Sequence, residues 1–281
     1  MAKFIPRLKA LKTISYLLLL FPTWVLANLS IDQAPVPGGI AVVEFQTNHA
    51  EPKAFYGNVR LYVQKTKPEH WQALVGIPLL ATPGEQYIQV QDFSQRKITF
   101  NVEPHQYQEQ YITLKGKQKK YVNPNTEHMQ RIQRERPILS NARKQYSQHA
   151  LAAGAFSLPV LGITTGSFGL KRFYNQQARN PHTGVDYAAK TDTPIRAPAK
   201  GRVILTGEFY FNGKTVFIDH GMGLISVYIH MNNIQVEQGQ LLNAGDVIGG
   251  IGQTGRATGP HLHWGVYLNQ TAVNPNLLLE Q

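Results

Sequence analysis

The chemistry-bearing residues of this 281-residue chain gather toward its C-terminal end. Five of its ten histidines stand at positions 182, 220, 230, 261 and 263. His182 and Asp186 form a His-x-x-x-Asp spacing on a glycine-containing turn that leads into a short apolar run. His230 ends another apolar run, and His261-Leu262-His263 is a His-x-His on an expected strand. Residues i and i+2 of a strand face the same side, so His261 and His263 point into one site. Two adjacent imidazoles, with a third and a carboxylate nearby, are costly to bury unless a metal ion or shared protons satisfy them. A catalytic zinc takes three protein ligands and keeps one position open. His182, Asp186 and one histidine of the His-x-His supply that number, which leaves the remaining histidines for proton transfer. The chain has no cysteine, which excludes thiolate zinc sites, a cysteine nucleophile and a disulfide framework, and favours zinc over iron–sulfur or copper(I) chemistry.

Such residues need a scaffold that brings distant segments together. From Phe156 onward glycine density rises and short β runs recur at 201–205, 215–219 and 224–229. Phe211-Asn212-Gly213 and His220-Gly221-Met222-Gly223 read as the turns between them, the second as a hairpin connection. Residues 152–281 are therefore expected to form a compact, mostly antiparallel β domain. His220, in the hairpin turn, reads as a turn residue or a prop for a neighbouring ligand. Upstream, Ile98, Phe100 and Val102 alternate with polar residues, and similar runs hold Ile40, Val42 and Phe45, and Tyr87, Ile88 and Val90. This predicts a small β module over residues 28–114. Its histidines, His49, His70 and His105, lack ligand spacing and read as surface or loop residues. Between the two, residues 115–151 read as a basic helical linker. Asn125 or Thr126 can cap its helix, and Pro137 is expected to interrupt or kink it. The fold class is mainly β, with a small N-terminal β module, a helical linker and a C-terminal β domain.

Residues 1–27 read as a cleaved export signal. Lys3, Arg7, Lys9 and Lys12 precede an apolar run of about 13 residues, short of the ~20 that span a bilayer, and the segment ends in Ala27. A periplasmic or secreted protein without a transmembrane segment in its mature chain follows as the expectation. Apolar residues make up 42% of the chain and charged ones 16%, which excludes global disorder. The formal charge is +11, of which the signal carries four units. Residues 112–147 hold nine basic side chains against Glu127 and Glu135, the whole of the remaining excess. No nucleic-acid reading module accompanies this stripe, so nucleic acid is not an expected partner. It reads as a solvated face, with attraction to an anionic envelope polymer as the other reading.

The C-terminal text resembles the lysostaphin/LytM-type zinc metalloendopeptidases that cut peptidoglycan cross-links. The matching elements are Ser167-Phe-Gly-Leu-Lys-Arg172, His182-Thr-Gly-Val-Asp-Tyr187, Thr193-Pro194 with Ala197-Pro198, Val216-Phe-Ile-Asp-His-Gly221 through His230, Gly252-Gln-Thr-Gly255, and Thr258-Gly-Pro-His-Leu-His-Trp264. Asp192, Lys214 and Met231 depart from the family's usual residues, none at a ligand position. The text from Pro37-Gly38-Gly39 onward is similar, more weakly, to the N-terminal domain of some bacterial members. The resemblance implies that His182, Asp186 and His263 hold one Zn2+, and that His230 and His261 are the unliganded catalytic pair. It implies a peptidoglycan substrate, with the D-alanyl–diaminopimelate bond as the expected target, an envelope regulator as a partner, and an N-terminal module that covers the groove. The competing reading is a non-catalytic peptidoglycan-binding or amidase-activating envelope factor. Members of that kind have usually lost metal ligands, whereas this chain keeps all three and both further histidines.

Overall fold

A computed structural model describes residues 28–280. The expected export signal, 1–27, lies outside the described residues.

The N-terminal module is built from strands that use both faces. Ile40–Gln46 pairs antiparallel with His70–Gly76, which pairs in turn with Tyr62–Lys67. A second sheet orders Val59–Arg60, Lys53–Tyr56, Gly84–Gln91 and Gln95–Val102. Alternation sends Val43, Ala73, Val75, Ile88 and Val90 into the module's own core. The opposite faces of the same strands send Ile40, Tyr62 and Leu74 into the larger core of the C-terminal domain. The seam between the two parts is therefore largely apolar, with the buried Asn269 amide bonded across it to the backbone of the N-terminal module, and each fully buried Leu or Ile there contributes about 1.5–3 kcal/mol.

The chain then crosses over. Glu109–Ile112 pairs in parallel with Lys171–Tyr174 of the C-terminal part, so this strand belongs to a sheet on the far side of the seam. A 3-10 turn, Gly116–Tyr121, and an 18-residue helix, Thr126–Arg143, follow. Asn125 caps the helix by accepting from the His128 N–H at 2.8 Å. Pro137 sits inside the helix, which runs on without interruption. Gln133, whose carbonyl loses its partner to the proline, is exposed, as is Pro137, so water can satisfy that carbonyl. No residue of the helix is buried. Leu139 and Ala142 rest against Phe217, Ile225 and Val227.

The C-terminal domain is built on an eight-stranded sheet. Its order is Leu241–Leu242, Gly201–Phe209, Gly213–Asp219, Leu224–Met231, His261–Leu268, Val185–Ala188 and Ile163–Gly166, every pair antiparallel. Thr271–Val273 adds to the end of His261–Leu268. The expected hairpin joins Gly213–Asp219 to Leu224–Met231 through the turn at His220. Tyr228 and Trp264 are cross-strand partners and fully buried. Among the described residues, no helix is long and apolar enough to cross a membrane.

Candidate metal centre and catalytic cleft

Three adjacent strands position the site. Val185–Ala188 and Leu224–Met231 flank His261–Leu268, with Asp186 opposite His263 and Ala188 opposite His261. Cross-strand partners share a face, so the Asp186 carboxylate and the His263 imidazole meet on it. His182 arrives from the loop before Val185–Ala188. Gly184, between the two, allows that loop to pass close to the sheet. A Cβ there would lie 2.4 Å from the Trp264 carbonyl oxygen and 2.7 Å from His263 Nε2.

The donor atoms converge. His182 Nε2 lies 2.8 Å from His263 Nδ1 and 3.0 Å from Asp186 Oδ1, and His263 Nδ1 lies 2.8 Å from the same oxygen. All three side chains are buried. His182 Nδ1 donates to the Ser167 carbonyl at 2.7 Å, and a carbonyl can only accept, so in the neutral ring Nε2 is a bare lone pair. Two neutral imidazoles and a carboxylate oxygen then have at most one proton to share between them. A divalent cation satisfies all three at once, and two imidazole nitrogens with a carboxylate oxygen are a donor set that zinc takes. Burial drives the His263 pKa down to about 4, which outweighs its hydrogen bond to Asp186 and keeps the ring neutral, as a ligand must be. Burial pushes the Asp186 carboxyl up, but its close contacts with the His182 and His263 imidazoles prevail and hold it well below the usual carboxylate range.

Arg172 completes the support of the Asp186 carboxylate. Its Nη2 donates to Asp186 Oδ2 at 2.6 Å, and its Nε donates to Gln110 Oε1 at 2.9 Å. Gln110 belongs to the crossover strand, so a residue from before the linker steadies the arginine that steadies the carboxylate. Composition and spacing give no sign of this chain of contacts. Arg172 and Asp186 are 14 residues apart and meet only through the fold.

His230 and His261 stand beside this triad with ring centroids 4.8 Å apart, and the His230 ring lies 6.4 Å from that of His263. His230 Nδ1 donates to the Thr254 carbonyl and His261 Nδ1 donates to the Gly259 carbonyl, each at 2.8 Å. In its neutral form, each ring thus presents a bare Nε2. Burial, helped by His261 and His263 nearby, holds the His230 pKa well below the ordinary imidazole value. His230 reaches the site through a β-bulge. Lys214 pairs with Met231 while Val216 pairs with Tyr228, so the His230 strand carries an extra residue. His230 itself adopts φ +65°, a left-handed conformation that costs a non-glycine residue about 1–3 kcal/mol. Strict alternation would set it on the face opposite Ile229; the bulge turns it into the cleft.

His220 does not line the cleft. It is fully buried, its pKa pushed down to about 4 by burial, with Nδ1 donating to the Lys200 carbonyl and Nε2 bonded to Ser226 Oγ. Of the N-terminal histidines, His49 and His105 touch Phe93 and Tyr107, and His70 bonds to Gln46 and the Pro68 carbonyl.

The cleft holds about 890 Å³. The C-terminal domain forms one wall and residues 112–143 form the other, with Val122, Ile132, Glu135 and Leu139 among the latter. The part lying across the cleft is thus the crossover and linker segment. Glu135 accepts from the Tyr210 N–H at 2.7 Å, and Arg131 Nη2 donates to the Glu208 carbonyl at 3.0 Å.

Comparison with known proteins places these features in a family. Residues 180–275 match the peptidase family M23, and residues 33–105 match the peptidase family M23 N-terminal domain. A crystal structure from Pseudomonas aeruginosa assigned to peptidase M23 is 37% identical, covers 88% of this chain and 96% of that one, and superposes with a TM-score of 0.74. The DD-carboxypeptidase/endopeptidase Mpg of Neisseria meningitidis is 38% identical over 124 residues, 43% of this chain and 29% of that protein. The peptidoglycan DD-endopeptidase ShyA of Vibrio cholerae is 38% identical over 94 residues, 34% of this chain and 22% of that protein. The matched stretches span less than a third of either curated relative.

Proposed function

The chain belongs to peptidase family M23, and from that premise we propose that it is a zinc endopeptidase that hydrolyses peptide cross-links of bacterial peptidoglycan, acting outside the cytoplasm. The observation that carries the proposal is the meeting of His182 Nε2, Asp186 Oδ1 and His263 Nδ1 at 2.8–3.0 Å beside two imidazoles whose Nε2 atoms are free. The names of Mpg and ShyA support the substrate class, and the D-alanyl–diaminopimelate bond is the target we assign.

His182, Asp186 and His263 would hold the zinc, which when bound polarises the scissile carbonyl and acidifies water. The protein's own residues do the rest. Arg172 and the Ser167 carbonyl fix the orientation of two of the ligands. His230 and His261 flank the reacting atoms. One bare Nε2 accepts the proton of the attacking water as its oxygen bonds to the carbonyl carbon. The partner, once protonated, steadies the oxyanion and supplies a proton to the amine as the carbon–nitrogen bond breaks.

The linker supports a regulatory reading. A cross-linked polymer is too large to thread a cleft walled on both sides, so residues 115–143 would have to swing aside for it. An envelope regulator could act by favouring that movement. The test of the main proposal is mass spectrometry of fragments released from purified sacculi by the zinc-loaded protein. Cross-linked dimers should convert to monomeric tetrapeptides, and a chelator should stop the conversion. Persistence of the dimers beside zinc-loaded protein would refute it.

A further inference from the structure

The cleft carries more positive charge than the chemistry above uses. Arginines 136, 143, 172, 179 and 256 line it, against the carboxylates of Glu135 and Asp186. Asp186 is matched by Arg172 and Glu135 by Arg131. Among the described residues, the other four lining arginines have no acidic partner within ion-pair distance. Such a wall concentrates anions in the cleft.

Arg256 is the best placed of the four. Its guanidinium carbon lies 4.7 Å from the Tyr174 ring centroid and 4.9 Å from that of Phe211. The guanidinium thus lies over two aromatic rings, which set its position before any ligand arrives. Its backbone N–H is satisfied by the Phe211 carbonyl at 2.9 Å. Its side-chain N–H groups donate to no acceptor among the described residues, whereas Arg179 donates to the Val122 carbonyl and to Gln177. Burial and the nearby guanidiniums of Arg172 and Arg179 push its pKa down, as expected of a cation held without a counter-charge. Arg256 also sits between the two carbonyls that hold the catalytic pair, Thr254 for His230 and Gly259 for His261.

A fixed, planar, unmatched guanidinium is complementary to a carboxylate, which it can grip with parallel hydrogen bonds. We infer that Arg256 is the receptor for a free substrate carboxylate beside the scissile bond, and that it makes the cleft select acidic peptides over neutral ones. The inference rests on the peptidase reading above. Peptidoglycan stem peptides, with free carboxylates on their γ-linked glutamate and diaminopimelate residues, are ligands of this class.

The test compares two purified cross-linked muropeptide dimers, identical except that one has its free carboxylates converted to carboxamides. With the full-length, zinc-loaded protein, kcat/KM should favour the carboxylate dimer by about tenfold or more, mainly through KM. In Arg256→Gln this ratio should fall toward one, and Arg256→Lys should keep part of it, since lysine retains the charge but not the planar fork. A ratio unchanged in Arg256→Gln, with or without an equal loss on both dimers, would overturn the inference, as would loss of bound zinc in that variant. Equal cleavage of both dimers by the unaltered protein would overturn it while leaving the peptidase reading intact. Cleavage of neither would remove the peptidase reading and this inference with it.

Discussion

The two walls of the cleft are built by opposite rules. On the sheet wall, His182, Asp186, His230 and His263 are buried and tied by hydrogen bonds to carbonyls, to Arg172 or to one another. On the linker wall, no residue of the helix Thr126–Arg143 is fully buried, and it holds on through partly exposed polar contacts such as Arg131 to Glu208 and Glu135 to Tyr210, beside the small apolar contact of Leu139 and Ala142. The first arrangement fixes atoms to fractions of an ångström, as catalysis requires. The second can release at modest cost, because exposed polar contacts exchange readily with water. On the proposed function, this contrast becomes a division of labour, with chemistry on the rigid wall and access on the loose one.

The largest expected effect breaks the rigid wall at its centre. His263→Ala removes one of three donors, so zinc per chain should fall from about one to near zero by elemental analysis, and hydrolysis should vanish with it. Retained zinc would refute the ligand assignment. Next, His230→Ala should keep zinc and lose about 10²–10⁴-fold in kcat. Loss of zinc there would move His230 into the ligand set. Arg172→Gln touches neither reacting atom nor metal, yet should weaken zinc about 10–100-fold in a competition titration, because Asp186 loses its anchor. Unchanged affinity would make the Arg172 contact incidental.

The loose wall should respond differently. Glu135→Ala removes roughly 1–2 kcal/mol of attachment and should raise sacculus digestion several-fold, with faster proteolysis between 115 and 143 and unchanged zinc content. Slower digestion would mean that this wall serves the substrate instead of covering the cleft. A contrast of another kind is in pH. His220 and His263 stay neutral in the folded chain down to about 4, while the unfolded chain binds protons below about 6.5. The metal-free protein should therefore lose stability as pH falls from 6.5 toward 4, by up to about 1.4 kcal/mol per pH unit for each group, read from denaturant midpoints. A flat profile over that window would count against neutral burial of both rings.

Much of the rigid wall was legible from the chain. His261 and His263 share a face because strand alternation is a local property, and the turn around His220 follows from its glycines. The cap at Asn125 was equally local. What escaped depends on two segments at once. The bulge that turns His230 inward is a mismatch between strands, invisible in either alone. The Gln110–Arg172–Asp186 chain joins three places that only the crossover strand brings together. Arg256 sits in an irregular loop with no period to mark it, and its rings come from two other segments. Pro137 does not interrupt the helix, because water reaches the backbone where its missing N–H leaves the Gln133 carbonyl without a partner.

The left-handed backbone of His230 has a practical corollary. Alanine at that position would erase the imidazole but keep the conformational penalty, whereas glycine adopts φ +65° freely. A His230→Gly protein would then combine an inert centre with a relaxed chain. Such a scaffold would suit the capture of uncut cell-wall fragments better than the alanine form.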